Sequence, residues 1–444
     1  MKILILNQTF HPDVAATAQY VSDLALALVE RGHKVTAVSG RRAYDDGPGE
    51  QYAARETWRG IEIRRISGTR LGKTARWRRA VDFGTYLLNC SLHLLALPRY
   101  DLVIALTSPP LISWIGAVFT RVKGGRFAFW VMDLNPDEAV AAGWLREGAL
   151  ITRALQWLLR DSLHHSALVV ALDDFMATRI AAKGVDAARI QVLPPWSLDE
   201  SLRYDELGRN AFRTKHGFEG KFVVMYSGNH SPCHPLTTLL DAAIALRDRS
   251  DIAFAFIGGG SEQATVKRVA AEQQLSNVLV LPYQPLAGLA GSLSSADLHV
   301  VVMGDPFVGI VHPSKVYNIR ALGIPYLYIG PAESHVTALD PPYVAAHGDV
   351  AGVVRHIEVA AAAGVGVRGE RSLAPWEHSR ERLLCQLVEA LERAGGVTAG
   401  HRSVTVDQQG DVLPTEPSWP SWPSRPSEPS SPSRPSRPTG SLTS

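Results

Sequence analysis

The chain has 444 residues, 46% of them hydrophobic and 20% charged, with a formal net charge of +2. That is the composition of a folded globular protein of two or three domains, and it excludes a fibrous or wholly disordered chain. The near-neutral balance, with no arginine-rich tract and no aromatic residues interleaved with basic ones, gives no ground to expect a nucleic-acid partner.

In chain order, Met1-Lys2-Ile3-Leu4-Ile5-Leu6-Asn7 is too short an apolar run for a signal peptide and reads as a first buried strand. A helical pattern follows over Ala16–Glu30, then Gly32 as a stop and a strand near Val35–Val38. Further strands are expected at Ile61–Ile66, Leu102–Leu106, Phe127–Val131 and Leu168–Ala171, with helices between them. This is a doubly wound parallel sheet. After Leu193-Pro194-Pro195-Trp196 the theme restarts: strands at Phe222–Tyr226, Ile252–Ile257, Val278–Leu281 and Leu298–Val302, helices near Leu236–Arg247 and Gln263–Gln273, and a helix-strand pair from Pro313 to Ile329. The expected fold is α/β, with two doubly wound Rossmann-like domains facing across a cleft. Their expected bounds are 1–195 and 196–376, with a C-terminal helix over 377–394 packing back on the body. From about Gly395 the composition turns polar and then Pro/Ser-rich, and residues 395–444 are expected to be a disordered tail.

The cysteines, Cys90, Cys233 and Cys385, are odd in number and widely spaced, which argues for a reducing compartment and the cytoplasm. No stretch reaches the roughly 20 apolar residues of a membrane span. The basic residues Arg70, Lys73, Arg76, Arg78 and Arg79 run into Phe83, Tyr86, Leu87, Leu88, Leu92 and Leu95. The stretch Arg70–Leu95 fits an amphipathic helix on an anionic membrane surface, peripheral on the inner face of the plasma membrane, and equally a core-facing helix with a solvated basic face.

The chemistry concentrates in a few runs. Pro313-Ser314-Lys315 reads as a helix start, where free N–H groups and a lysine ammonium favour an anion such as a diphosphate. Ser227-Gly228-Asn229 sits where a strand ends, and a glycine there lets backbone approach a ligand closely. Neither half has GxGxxG spacing, which weighs against dinucleotide chemistry. Asp133 and Asp137 follow an apolar strand, so either can face the cleft and serve a sugar hydroxyl or an acceptor; helix capping is the alternative for Asp137. His230, Cys233 and His234 lack a second ligand pair at a familiar spacing, so no metal is expected.

These motifs together resemble the family 4 glycosyltransferases of the two-domain GT-B fold, in particular the WbuB-like and WcaI-like branch of O-antigen and colanic acid assembly. The pieces that carry the resemblance are Phe10-His11-Pro12, Thr107-Ser108-Pro109-Pro110, Asp133-Leu134-Asn135-Pro136-Asp137, Pro194-Pro195-Trp196, Ser227-Gly228-Asn229, Gly258-Gly259-Gly260, Leu281-Pro282-Tyr283 and Pro313-Ser314-Lys315. The resemblance implies a retaining, metal-independent transfer from a UDP- or GDP-linked sugar, a co-substrate rather than a cofactor, to a glycan or lipid-linked acceptor. It puts Gly228, Asn229, Ser314 and Lys315 on the donor diphosphate, Asn318, Pro282 and Tyr283 by the ribose and base, and His11 and Asp137 on the sugar or acceptor side. Asp133 and Lys315 are the expected catalytic groups. The chain departs from the pattern at two family glutamates, which here are Asn318 and Ile310. That departure motivates two alternatives, a nucleotide-sugar epimerase and a catalytically silent nucleotide-binding scaffold.

Overall fold

The computed structural model describes residues 1–13, 15–42, 51–69, 71, 76–196, 202–364 and 379–397. The first half runs β1 (Lys2–Leu6), α1 (Ala16–Glu30), β2 (Lys34–Gly40), β3 (Arg55–Trp58), β4 (Ile61–Ile66), α2 (Arg76–Leu95), β5 (Leu102–Ala105), α3 (Ile112–Lys123), β6 (Arg126–Trp130), α4 (Asp137–Ala141), α5 (Leu150–His165), β7 (Leu168–Ala171), α6 (Asp174–Ala182) and β8 (Ile190–Val192). Its sheet has the order β3-β4-β2-β1-β5-β6-β7-β8. The strands are parallel except at the edge, where β3 pairs antiparallel with β4, a departure from the all-parallel expectation. Residues Ile3–Leu6 of β1 are fully buried because helices cover both faces, which is why the central strands read as unbroken apolar runs.

The second half runs α7 (Glu206–His216), β9 (Phe222–Asn229), α8 (Thr237–Ala245), β10 (Ile252–Gly259), α9 (Gln263–Glu272), β11 (Val278–Leu281), α10 (Leu289–Ser294), β12 (Leu298–Val302), α11 (Lys315–Ala321), β13 (Tyr326–Ile329), β14 (Tyr343–Ala345), α12 (Val350–Ala362) and α13 (Arg380–Gly395). Its sheet is parallel throughout, in the order β11-β10-β9-β12-β13-β14. Tyr226, Leu239, Phe254 and Phe256 fill one face under α8 and α12. Phe212, Met225, Ile257 and Leu293 fill the other. In each half the strand order reverses direction once, between β1 and β5 and between β9 and β12. Ligands of such sheets bind at the carboxyl ends beside that switch point, and the ends of β1, β5, β6, β7, β9, β11 and β12 with the loops after them carry the candidate residues.

The expected helix at Pro313 begins two residues later, at Lys315, and Gly323 follows its end at φ +66°, as a helix stop requires. The last helix, α13, crosses back to the first half: Arg380 holds Asp23 of α1 through two bonds of 2.9 and 3.0 Å, and His33 meets Glu392 at 2.9 Å. On α2, Tyr86, Cys90 and Leu94 face inward while Trp77, Leu88, Leu92 and Leu95 are exposed. Arg70 and Lys73 of the basic stretch, and the tail after Val397, lie outside the described residues.

Candidate active site

The second half supplies a cation with nowhere to go. Lys315 stands on the first turn of α11 with its Nζ shut off from solvent, 3.8 Å above the ring of Tyr226 and with no hydrogen-bond acceptor. Desolvation drives its pKa from 10.5 down to about 7. The amine packs over the end of β9, where Gly228 takes φ +141° and a Cβ would sit 2.8 Å from Nζ. Gly258, paired with Gly228 across the sheet at φ +138°, is as constrained, since a Cβ would meet the Gly228 carbonyl at 1.9 Å. The glycines that end β9 and β10 are therefore what lets the lysine reach the strand ends. His230 and His234 lie within the same field. Burial first and Lys315 second hold them neutral, at about 4 and about 3, so Lys315 is the group of the three that changes charge near neutral pH.

Around this centre, Asn229 is exposed at the tip of β9, and Asn318 follows Lys315 by one helical turn, on the same face of α11. Pro282 and Tyr283 follow β11. Tyr283 is half exposed, lies against Gly259 and points its hydroxyl at that residue's carbonyl 3.5 Å away. Ser314 lies beside Tyr20 of α1, close enough to offset part of the upward pull of burial on that phenol's pKa, and the Tyr20 hydroxyl donates to the Trp196 carbonyl at 2.9 Å. Ser314 thus joins the two halves.

The first half contributes Asp133, in the loop after β6, lining a small cavity with Thr107, Pro110 and Asn135. Burial, and then the Glu138 carboxylate, raise Asp133 from 3.8 to about 7. Glu138 is a residue the sequence reading missed. It accepts from Asn135 Nδ2 at 2.9 Å and from Cys233 Sγ, across the seam, at 3.6 Å. Asp137 behaves differently from the acceptor-side expectation, because Lys183 claims it in an ion pair of 2.6 Å. Neighbouring helical residues point about 100° apart, so one of the two acids had to turn to Lys183 and the other to the seam; the sequence holds no signal for which. His11, after β1, stacks on Trp58 with ring centres 3.9 Å apart.

The seam itself is built by the loop before α11. Ile310, at one of the missing family glutamates, is buried, and its carbonyl accepts the Leu134 N–H at 2.9 Å. Arg179 Nε donates to the Val308 carbonyl at 2.6 Å. Asp173, after β7, meets His312 at 2.7 Å. Among the described residues, the group of acidic, histidine and cysteine side chains whose polar atoms lie within 4.8 Å of one another is Asp173, His312 and His335, which does not include His230, Cys233 or His234.

Comparison with known proteins agrees with this architecture. The glycosyl transferase 4-like domain pattern matches residues 16–196. The colanic acid biosynthesis glycosyl transferase WcaI of Escherichia coli K12 is 25% identical over 342 residues, covering 73% of this chain and 82% of that protein. The glycosyltransferase WbjE of Pseudomonas aeruginosa is 25% identical over 231 residues, 52% of this chain and 58% of that one. Among solved structures, HepE of Anabaena in complex with UDP-glucose superposes with a TM-score of 0.65 at 16% identity, over 88% of this chain and all of that one. WaaG, a glycosyltransferase of lipopolysaccharide biosynthesis, gives 0.58 at 15% identity over 89% and 96%. At such identities the structural likeness speaks for the fold, and the sequence matches speak for the family. Residues 16–196 thus carry a glycosyl transferase 4-like domain, and the chain has the GT-B fold and is similar to family 4 glycosyltransferases.

Proposed function

We propose that the chain moves a sugar from a nucleoside-diphosphate donor, UDP first and GDP as the competing base, to a glycan or lipid-linked precursor of a surface polysaccharide. The transfer retains the anomeric configuration and uses no metal in the chemical step. The observation that carries this reading is Lys315, a buried amine with no acceptor, resting on Gly228 at the strand ends. Leaving such a group unpaired costs free energy, and a diphosphate oxygen supplies the missing acceptor. The colanic acid role named for WcaI, and the UDP-glucose bound by HepE, support the acceptor and donor classes.

In this reading the bond from the sugar's anomeric carbon to the diphosphate breaks while a bond from that carbon to the acceptor hydroxyl forms on the same face. Lys315 offsets the charge growing on the leaving diphosphate. Asp133, held near 7, is poised to take the acceptor's proton at neutral pH. Tyr283 offers an aromatic face to the base, and Asn318 an uncharged hydrogen bond to the ribose. Trp77, Leu88 and Leu92 are exposed on α2, apolar side chains suited to an anionic bilayer that presents a lipid-linked acceptor.

The test is transfer itself: radiolabelled UDP- and GDP-sugars incubated with membrane-extracted lipid acceptors, read as labelled lipid. Label in lipid with one donor supports the assignment. An altered sugar nucleotide formed without acceptor means an epimerase, and nucleotide binding without turnover on any acceptor means a silent scaffold.

A further inference from the structure

We infer that His312 is a positioning residue for Lys315, the middle of a hydrogen-bond relay from Asp173 to Tyr317 through which the first half of the chain fixes the start of α11. The role rests on the donor reading above, with Lys315 as the group that meets the diphosphate. α11 has seven residues, Lys315–Ala321. A helix that short has too little stability of its own to hold a direction, so contacts from outside must fix it. The loop that leads into it is tied to the first half at three points: the Val308 carbonyl accepts from Arg179 Nε at 2.6 Å, the Ile310 carbonyl accepts the Leu134 N–H at 2.9 Å, and His312 Nδ1 meets Asp173 Oδ2 at 2.7 Å. Of these three, the first two end on backbone ahead of Pro313, and the third continues into the helix. On the far side of the imidazole the Tyr317 hydroxyl meets Nε2 at 2.8 Å, and Tyr317 stands two residues after Lys315. A carboxylate oxygen needs a donor, so Nδ1 carries the proton toward Asp173, and Nε2 is left to accept from the phenol.

Each member of the relay is itself held. Asp173 caps α6, its Oδ1 accepting the Met176 N–H at 2.7 Å, which fixes the carboxylate and leaves Oδ2 for the seam. The His312 and Asp173 side chains are 1% and 7% exposed, so water competes little for the bond between them. His335, from the segment after β13, stacks on the His312 ring with centres 3.8 Å apart and planes at 19°, and so keeps that ring from tilting out of line with its two partners. Such rigidity matters at Lys315 because its amine has little room: Nζ stands 3.8 Å above the Tyr226 ring, and a Cβ on Gly228 would come within 2.8 Å of it. A small rotation at the start of α11 would carry the amine away from a diphosphate placed at the strand ends, and misplacement by even 1 Å is costly to a positioned group.

The test is calorimetric titration of UDP and GDP into the full chain and into Tyr317→Phe, His312→Ala and the double variant, with a thermal melt of each protein beforehand. Tyr317→Phe removes one oxygen and keeps the ring, and should weaken the nucleotide that the wild type binds about tenfold. His312→Ala should weaken it at least as much. The double variant should bind no more weakly than His312→Ala, because the phenol acts on Lys315 through the imidazole and has nothing to act through once it is gone. A contact that serves the fold alone would lower the melting temperature and leave nucleotide affinity untouched. Wild-type affinity in Tyr317→Phe would therefore overturn the role, whether or not His312→Ala folds, and so would losses that add in the double variant. No binding of either nucleotide to the wild type would overturn the donor reading and this role with it, whereas binding that is equal in the wild type and the variants overturns the role alone.

Discussion

At the scale of single residues, the buried Lys315 amine is a stability cost, one the proposed donor binding would explain. Between about pH 7 and 10.5 the unfolded chain carries the Lys315 proton and the folded chain does not, so folding stability contributed by this group rises with pH across that window and is flat outside it. Lys315→Met removes the buried amine while keeping its length. It should stabilise the protein without ligand by about 1–3 kcal/mol at neutral pH, read by chemical denaturation, and should flatten that pH dependence. Donor affinity runs the other way. A bound diphosphate favours the ammonium, so calorimetry should show proton uptake on binding and up to tenfold weaker affinity per pH unit above about 7. Gly228→Ala puts a methyl 2.8 Å from Lys315 Nζ at φ +141°, and should cost about 1–3 kcal/mol of stability together with nucleotide binding, both visible in a thermal shift. Gly228 was legible because it ends an unmistakable apolar strand, and Lys315 because Pro313 marks a helix start just before it. Glu138 and Asp173 were not, since their roles come from residues 95 and 139 positions away, Cys233 and His312.

At the scale of elements, period and punctuation located most strands to within a residue or two, while the short polar edge was missed. β3 reads Arg-Glu-Thr-Trp, four residues with a weak alternation, and exists because β4 offers it an unpaired edge. The core-facing alternative for α2 accounts for one side of the helix and leaves the other open to solvent. Tyr86, Cys90 and Leu94 pack inward, while Leu88 is 60% and Leu92 57% exposed. The exposed apolar side is the one proposed above to meet an anionic bilayer. The double change Leu88→Glu, Leu92→Glu should leave folding within about 0.5 kcal/mol, as exposed positions do. Sedimentation with phosphatidylglycerol vesicles should fall several-fold relative to the wild type, and equal sedimentation would remove the membrane from the account.

At the scale of the whole molecule, two sheets of the same design face each other, and the repeated strand-helix pattern made that visible in the sequence. What joins them was not visible. The Ile310 carbonyl on Leu134, the approach of Ser314 to Tyr20 and the return of α13 to α1 all link positions far apart in the chain, and no local pattern encodes such a meeting. It also gives Ile310 a purpose where the family carries a glutamate: its backbone serves the seam and its side chain the core. Asp23, 2% exposed, accepts both from Arg380 and from Trp196 Nε1 at 3.1 Å. Arg380→Ala leaves that carboxylate without its cation and should destabilise the protein by about 3 kcal/mol in denaturant unfolding. The central claim, that Lys315 receives a donor diphosphate, is tested most directly by calorimetric titration of UDP and GDP into the wild type and Lys315→Ala. The account predicts saturable one-to-one binding of one of the two nucleotides to the wild type and at least a hundredfold weaker binding to the variant; equal affinity in both proteins, or no binding of either nucleotide to the wild type, would contradict it.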